Sequence, residues 1–145
     1  MTEEELVALA RAAALKAYAP YSGFHVGCAI ESDDGQIVTG ANMENASYRL
    51  GVCAEQSALT AAQHAFGLAR VRRIAVAGGR IGHGALTGAS AVTPCGGCRQ
   101  AILEAAQLSR CDVEIICGSG DGSVAELHSI GSLIPHGFGP ANLDG

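Results

Sequence analysis

Apolar residues in this chain recur in two rhythms, and their alternation most limits the fold. Three segments carry alanines at helical spacing, and short apolar runs of the kind that form buried strands lie around them. A helix is expected over 2–18. Thr2 and Glu5 make a capping-box pair, Leu6, Ala10, Ala13 and Ala17 share a face, and Ala19-Pro20 ends it, because the residue before proline avoids the helical region. The stripe is mostly alanine, so close packing is expected. A second helix is expected over 53–66, with Ala54, Ala58, Ala61 and Ala65 on one face and Gly67 as its stop. A third, over 98–108, carries Ile102 and Ala105 on the face of Cys98. Strands are expected over 25–31 and 37–41, joined by an Asp34-Gly35 hairpin turn, and over 74–77, 113–117 and 123–127. The order α-β-β-α-β-α-β-β implies a three-layer α/β fold, a mixed five-stranded sheet with helices on both faces. Residues 78–92 are rich in Gly and Ala and read as a disordered loop or a lid, the loop being preferred. The tail over 132–145 is too broken by Gly and Pro for a long helix, and no internal repeat is present.

The chain has 145 residues, enough for one domain over 1–145 with a core that needs no disulfides. Its formal net charge is −5, from 9 basic and 14 acidic residues. A polyanion binder gains most of its affinity from a basic face, so a nucleic-acid partner is disfavoured. Arg70, Arg72 and Arg73 read as a solvated rim before a strand. No apolar run approaches the ~20 residues that span a bilayer, and the acidic start, MTEEELVALARAAALKAY, is unlike a secretory signal. A cytoplasmic protein without a membrane partner is expected. In a reducing compartment its 6 cysteines point to metal binding or catalysis before disulfides.

Two segments carry the chemistry, Cys53-Ala54-Glu55 and Pro94-Cys95-Gly96-Gly97-Cys98. Each falls where a helix is expected to begin, and the free N–H groups and dipole of a helix start favour thiolate, the form that binds metal. Cys95 and Cys98 are spaced to face one point, and the two glycines between them allow a tight bend. With Cys53 they make a Cys₃ set suited to Zn²⁺. Three protein ligands leave a fourth position for water, the mark of a catalytic rather than a structural site. Glu55, two positions from a ligand, can then exchange a proton with that water. Either segment alone is weakly informative, since redox pairs and structural zinc sites share Cys-x-x-Cys. Together, in this order, they resemble the pattern of the zinc nucleobase deaminases. Cys28, Cys111 and Cys117 lie in or beside apolar strands and read as small buried hydrophobes. The 5 histidines are scattered, with no pair at ligand spacing.

With these residues in place, the chain closely resembles the small homotetrameric cytidine deaminases. The likeness runs from the first helix to the tail. It is strongest in Tyr21-Ser22-Gly23-Phe24-His25-Val26-Gly27, in Gly40-Ala41-Asn42-Met43-Glu44-Asn45-Ala46-Ser47-Tyr48, in Cys53-Ala54-Glu55, and in Thr93-Pro94-Cys95-Gly96-Gly97-Cys98-Arg99-Gln100. The resemblance implies the cytidine-deaminase-like fold, one Zn²⁺ per subunit, a nucleoside as small-molecule substrate, and a homo-oligomer, a tetramer. It implies that Asn42 and Glu44 hold the ribose hydroxyls, a task an amide and a carboxylate can share, although turn residues after a strand would look the same. Phe24 would pack on the pyrimidine, although on sequence alone such a residue is more often core, and Ala54 would touch the substrate. Tyr48 and Phe138 would complete the pocket of a neighbouring subunit. Glu55 would move protons between zinc-bound water, the ring nitrogen N3 and the departing amine, giving uridine or deoxyuridine and ammonia.

One departure concerns Gln56, which stands where the family commonly has arginine. Three thiolates and one Zn²⁺ leave a net negative cluster, and glutamine offers it a hydrogen bond but no charge. Arg99, just after Cys98, is a candidate to compensate in part. Three other readings compete. One is a deaminase of another amino-heterocycle, such as a blasticidin-like antibiotic. A second is a nucleic-acid editing enzyme, against which the acidic balance argues. The third is a protein that uses its thiols for structural zinc or redox exchange.

Overall fold

The computed structural model describes residues 1–144. Helix α1 (Glu3–Ala14) opens with the expected capping box, Thr2 accepting from the Glu5 backbone N–H while the Glu5 side chain accepts from Thr2. It ends at Ala14, short of the expected boundary. Lys16 and Ala17 close tighter turns onto Ala13 and Ala14, and Tyr18 is drawn into a bridge with Met43, its N–H donating to Asn42. A tertiary contact therefore stops this helix before proline can.

Strands β1 (His25–Ser32) and β2 (Ile37–Ala41) form the expected hairpin, with Gly35 at φ +85° in its turn. Helix α2 (Ala54–Ala65) follows with Cys53 as its N-cap, then β3 (Val71–Gly79), longer at both ends than expected. Arg72 and Arg73 lie within that strand rather than before it. Arg73 sits opposite Glu31 and pairs with it at 2.8 Å, so these two arginines belong to the start of the strand and not to a rim before it. Helix α3 is Gly96–Ser109, and β6 (Glu114–Ser119) and β7 (Ala125–Ser129) complete the sheet. The tail holds two single-turn helices, α4 (Ile130–Leu133) and α5 (Pro140–Leu143).

The sheet order is β2-β1-β3-β6-β7, parallel between β3 and β6 and antiparallel elsewhere. It is thus the expected five-stranded mixed sheet. Its pleat separates two apolar clusters. Ala29, Ala75, Ala77 and Ile116 meet Leu6, Val7 and Ala10 of α1 on one face. Cys28, Ile30, Ile74, Val76, Ile115 and Cys117 meet α2 and α3 on the other. The layers press closely, as the alanine stripes require. A Cβ at Gly27 would lie 1.9 Å from the Ala10 carbonyl oxygen, and one at Gly40 would lie 2.6 Å from the Ala58 nitrogen. Cys28 and Cys117 are buried as expected, whereas Cys111 is only half-buried.

Residues 78–92 are neither a disordered loop nor a free lid. Strands β4 (Ile81–Gly82) and β5 (Ala85–Leu86) make a small hairpin. The stretch after it is tied to β6 and the turn that follows, with Val92 N–H donating to Gly118 and Asp121 N–H to Gly88. No helix among the described residues is long and apolar enough to cross a membrane.

Candidate active site

Helices α2 and α3 lie side by side on one sheet face and begin at the same end. Cys53 caps the first and Cys95 the second, each with extended backbone and no side-chain capping bond, so both sulfurs are free for other use. Helix α3 starts at Gly96, earlier than expected, which puts Cys98 in its first turn. The sulfurs of Cys53, Cys95 and Cys98 all lie within 4.8 Å of one another. Among the described residues they are the one group of three His, Cys, Asp or Glu side chains so arranged. Cys98 is buried, Cys53 half-buried and Cys95 exposed, so the cluster is closed beneath and open above.

The electrostatics fit a cation. Burial pushes the Cys98 thiol well up, helped by the charge of Glu55, and burial also raises Cys53. Backbone N–H donors at Cys98 and Gly97 contribute to drawing Cys95 down, that of Cys98 most strongly. Three thiolates in so small and partly buried a space need a positive ion to hold them, and sulfur donors in this number are those zinc prefers. The Gln56 amide donates to the Cys98 sulfur at 3.6 Å. Arg99 does not turn toward the sulfurs. Its guanidinium donates to the carbonyls of Pro94 (2.8 Å) and Leu133 (3.0 Å), fixing the peptide just before Cys95.

Glu55 lies in the first turn of α2 at only 4 % exposure. Burial raises its carboxyl above the ordinary range, against hydrogen bonds to its own backbone N–H and to Cys98. A buried acid beside a sulfur cluster, with a raised affinity for its proton, suits an acid–base role.

A cavity of 430 Å³ opens beside Cys53, a size that accommodates a small ligand. Asn42, Glu44, Tyr48 and Ser22 are among its lining residues. Two bridges, Tyr18–Met43 and Met43–Val52, fold the segment after β2 back on itself and close this wall. Asn42 and Glu44 both hold backbone. Asn42 accepts from Val26 N–H (2.8 Å) and donates to the Phe24 carbonyl (3.0 Å). The Glu44 carboxylate accepts from Tyr21 N–H (2.9 Å), Ser22 N–H (3.0 Å) and the Ser22 hydroxyl. These bonds leave each side chain spare capacity for a ligand hydroxyl. Tyr48 lies edge-on to Tyr21, ring centres 5.8 Å apart, and is 79 % exposed. Phe24 stands half-exposed outside the cavity wall, and Ala54 is buried in the core. Phe138 is exposed, and its carbonyl accepts from Gln100 of α3 rather than bringing the ring to this chain's own cavity. Sequence reasoning gave Tyr21 and Ser22 no role. The Ser22-Gly23 turn just before Phe24 was the available signal, and Gly23 adopts φ +69° there.

The sequence pattern described as "Cytidine and deoxycytidylate deaminase zinc-binding region" matches residues 1–113. A cytidine deaminase of Mycobacterium tuberculosis is 48% identical over 92 residues, 63% of this chain, and the match spans 62% of that relative's length. A cytidine deaminase of Halalkalibacterium halodurans is 38% identical over 122 residues, 84% of this chain and 83% of the relative. Among solved structures, the cytidine deaminase from Burkholderia pseudomallei superposes with a TM-score of 0.81 at 39% identity, covering 95% of this chain and 100% of that one.

Proposed function

The chain belongs to the cytidine and deoxycytidylate deaminase family, and from that premise we propose that it is a zinc-dependent hydrolase. It takes cytidine or deoxycytidine and water to uridine or deoxyuridine and ammonia. The observation that carries this reading is three sulfurs gathered at the start of α2 and α3, with a buried carboxyl beside them and a cavity of 430 Å³ that reaches them at Cys53. Cys53, Cys95 and Cys98 would hold Zn²⁺, which supplies the charge that makes a water molecule nucleophilic near neutral pH.

The chain's own residues do the rest. Glu55 takes a proton from the attacking water and delivers it to N3, so that C4 becomes electron-poor as oxygen adds. It then takes the remaining proton from the hydroxyl added at C4 and passes it to the exocyclic nitrogen, so that the C4–N bond breaks, the oxygen becomes the C4 carbonyl, and ammonia leaves. Asn42 and Glu44 hold the sugar hydroxyls with their unspent donor and acceptor sites, and Phe24, held beside that wall by its backbone bonds to Ser22 and Asn42, bounds the pyrimidine together with the backbone of buried Ala54. Gln56 donates to the Cys98 sulfur and Arg99 steadies Pro94 behind the cluster. The family resemblance implies a homotetramer in which Tyr48 and Phe138 complete a neighbour's pocket, and both rings are exposed as that role requires. Residues 1–145 act as one catalytic domain. The cytoplasm, which is reducing, suits its free thiols. The net charge of −5 supports a free nucleoside over a polynucleotide.

Ammonia release from cytidine, deoxycytidine, blasticidin S, adenosine and guanine, with and without chelator, tests the reading. Turnover of the first two that chelation abolishes and zinc restores is expected. Turnover of another panel member alone moves the assignment to that heterocycle. Turnover of none of them, or turnover indifferent to chelation, overturns it.

A further inference from the structure

The cavity wall includes a junction at Ser22 to which the deaminase reading gives no role. Ser22 makes four hydrogen bonds. Its N–H and hydroxyl donate to Glu44, its hydroxyl accepts from Phe24 N–H (3.0 Å), and its carbonyl accepts from Arg80 Nη1 (3.0 Å). One turn therefore joins the carboxylate assigned to the sugar with the ring assigned to the base. Arg80 stands between the end of β3 and the β4–β5 hairpin.

Arg80 is itself anchored. Its carbonyl accepts from Thr87 N–H (2.7 Å) and from the Thr87 hydroxyl (2.8 Å). The Thr87 carbonyl in turn lies against Gly79 and Gly120, where added Cβ atoms would fall 1.8 and 2.0 Å from its oxygen. The backbone of Arg80 is thus locked onto the sheet, and only its side chain reaches outward. That side chain crosses Gly23 closely enough that a Cβ there would sit 2.9 Å from Nη1. Among the described residues no carboxylate lies within ion-pair distance of Arg80, so the Ser22 carbonyl is its assigned partner.

We propose that Arg80 is a positioning residue for the nucleoside pocket, acting through the Ser22 carbonyl to fix the turn that carries Phe24 and presents its donors to Glu44. The proposal rests on the deaminase reading above. It acts on binding and not on the reacting atoms, because none of the bonds in this chain of contacts reaches Glu55 or the sulfurs.

The test uses the full chain loaded with zinc, as wild type, Arg80→Met and Arg80→Lys. One exposed hydrogen bond to a carbonyl predicts that Arg80→Met raises KM for cytidine about three- to ten-fold. Its kcat should stay within about two-fold, since no group that stabilises developing charge is touched. Arg80→Lys, which keeps one donor, should recover part of the rise. Amide hydrogen exchange over 21–24 should quicken in Arg80→Met while that of β3 is unchanged. An unaltered KM, a fall in kcat alone, equal KM values for the Met and Lys variants, or unaltered exchange over 21–24 would each overturn the proposal. Should the wild type deaminate no nucleoside, the deaminase reading fails, while the exchange measurement still decides whether Arg80 holds the turn.

Discussion

Gln56 donates its side-chain amide to the sulfur of Cys98 at 3.6 Å, so a neutral group stands against the most buried thiol of the three. A donor to a ligating sulfur steadies its negative charge, and losing such a partner costs metal affinity about 10- to 100-fold. Gln56→Leu should release zinc faster to a competing chelator by about that factor. Gln56→Arg should do the opposite and shift the acidic limb of the pH–rate profile downward, because a less negative cluster makes the attacking water more acidic. A limb that does not move with Gln56→Arg counts against this account.

The Glu55 carboxyl is held in an apolar setting that favours its protonated form. Glu55→Gln keeps the shape and removes the ionisable group. Turnover should fall by about 10²- to 10⁴-fold, the range lost with an acid–base group. Zinc content should stay at one per chain, and the melting temperature should hold or rise, since a buried carboxyl is a poor contributor to stability. Loss of zinc in this variant would show that Glu55 is a ligand and not a proton carrier.

Gly40 allows β2 to lie against the backbone of α2. A side chain there would meet the Ala58 nitrogen at 2.6 Å and the Ala54 carbonyl oxygen at 2.9 Å. Neither can turn aside, so α2 must shift. Overpacking of this kind costs about 1–3 kcal/mol. Because Cys53 and Glu55 ride on α2, Gly40→Ala should lower the melting temperature and zinc affinity together, read by calorimetry and chelator competition. A variant that melts lower but holds zinc as tightly would uncouple the helix from the site.

Hydrogen bonds from Ser22, joined by that from the Tyr21 backbone, hold the Glu44 carboxyl below the ordinary glutamate range. A carboxyl with a depressed folded-state pKa adds stability that is present above its unfolded value and is lost as pH falls through the folded one. The stability gap between wild type and Ser22→Ala should therefore be present at pH 7. It should narrow below about pH 4, where glutamate protonates in the unfolded chain. Denaturant titrations at pH 7, 4 and 3 check this, and a gap that widens toward acid contradicts it.

Much of the frame was readable because it depends on local pattern. The Thr2–Glu5 cap, the Asp34-Gly35 turn and the alanine stripes each name their own structure within a few residues, and the two cysteine segments announced themselves as helix starts. What escaped depends on distant partners. Helix α1 ends early because Tyr18 meets Met43 across the chain. Arg73 belongs in β3 because Glu31 faces it from β1. The roles of Ser22 and Arg80 arise from contacts between segments that no spacing rule connects. Asn42 and Glu44 carry two readings at once, since the structure has them gripping backbone with part of their capacity and leaves the remainder for a ligand.

The bare sulfurs at the heads of two helices have a consequence beyond chemistry. An ion gripping Cys53 on one helix and Cys95 and Cys98 on the other would add a cross-link between helices that otherwise meet through apolar packing and the Gln56–Cys98 hydrogen bond. Such a staple favours the native state by mass action, so the fraction of chains that stay folded should follow how much free zinc surrounds them. Starvation for the metal would then thin out the enzyme itself, by exposing it to unfolding and degradation, before it merely slowed each molecule.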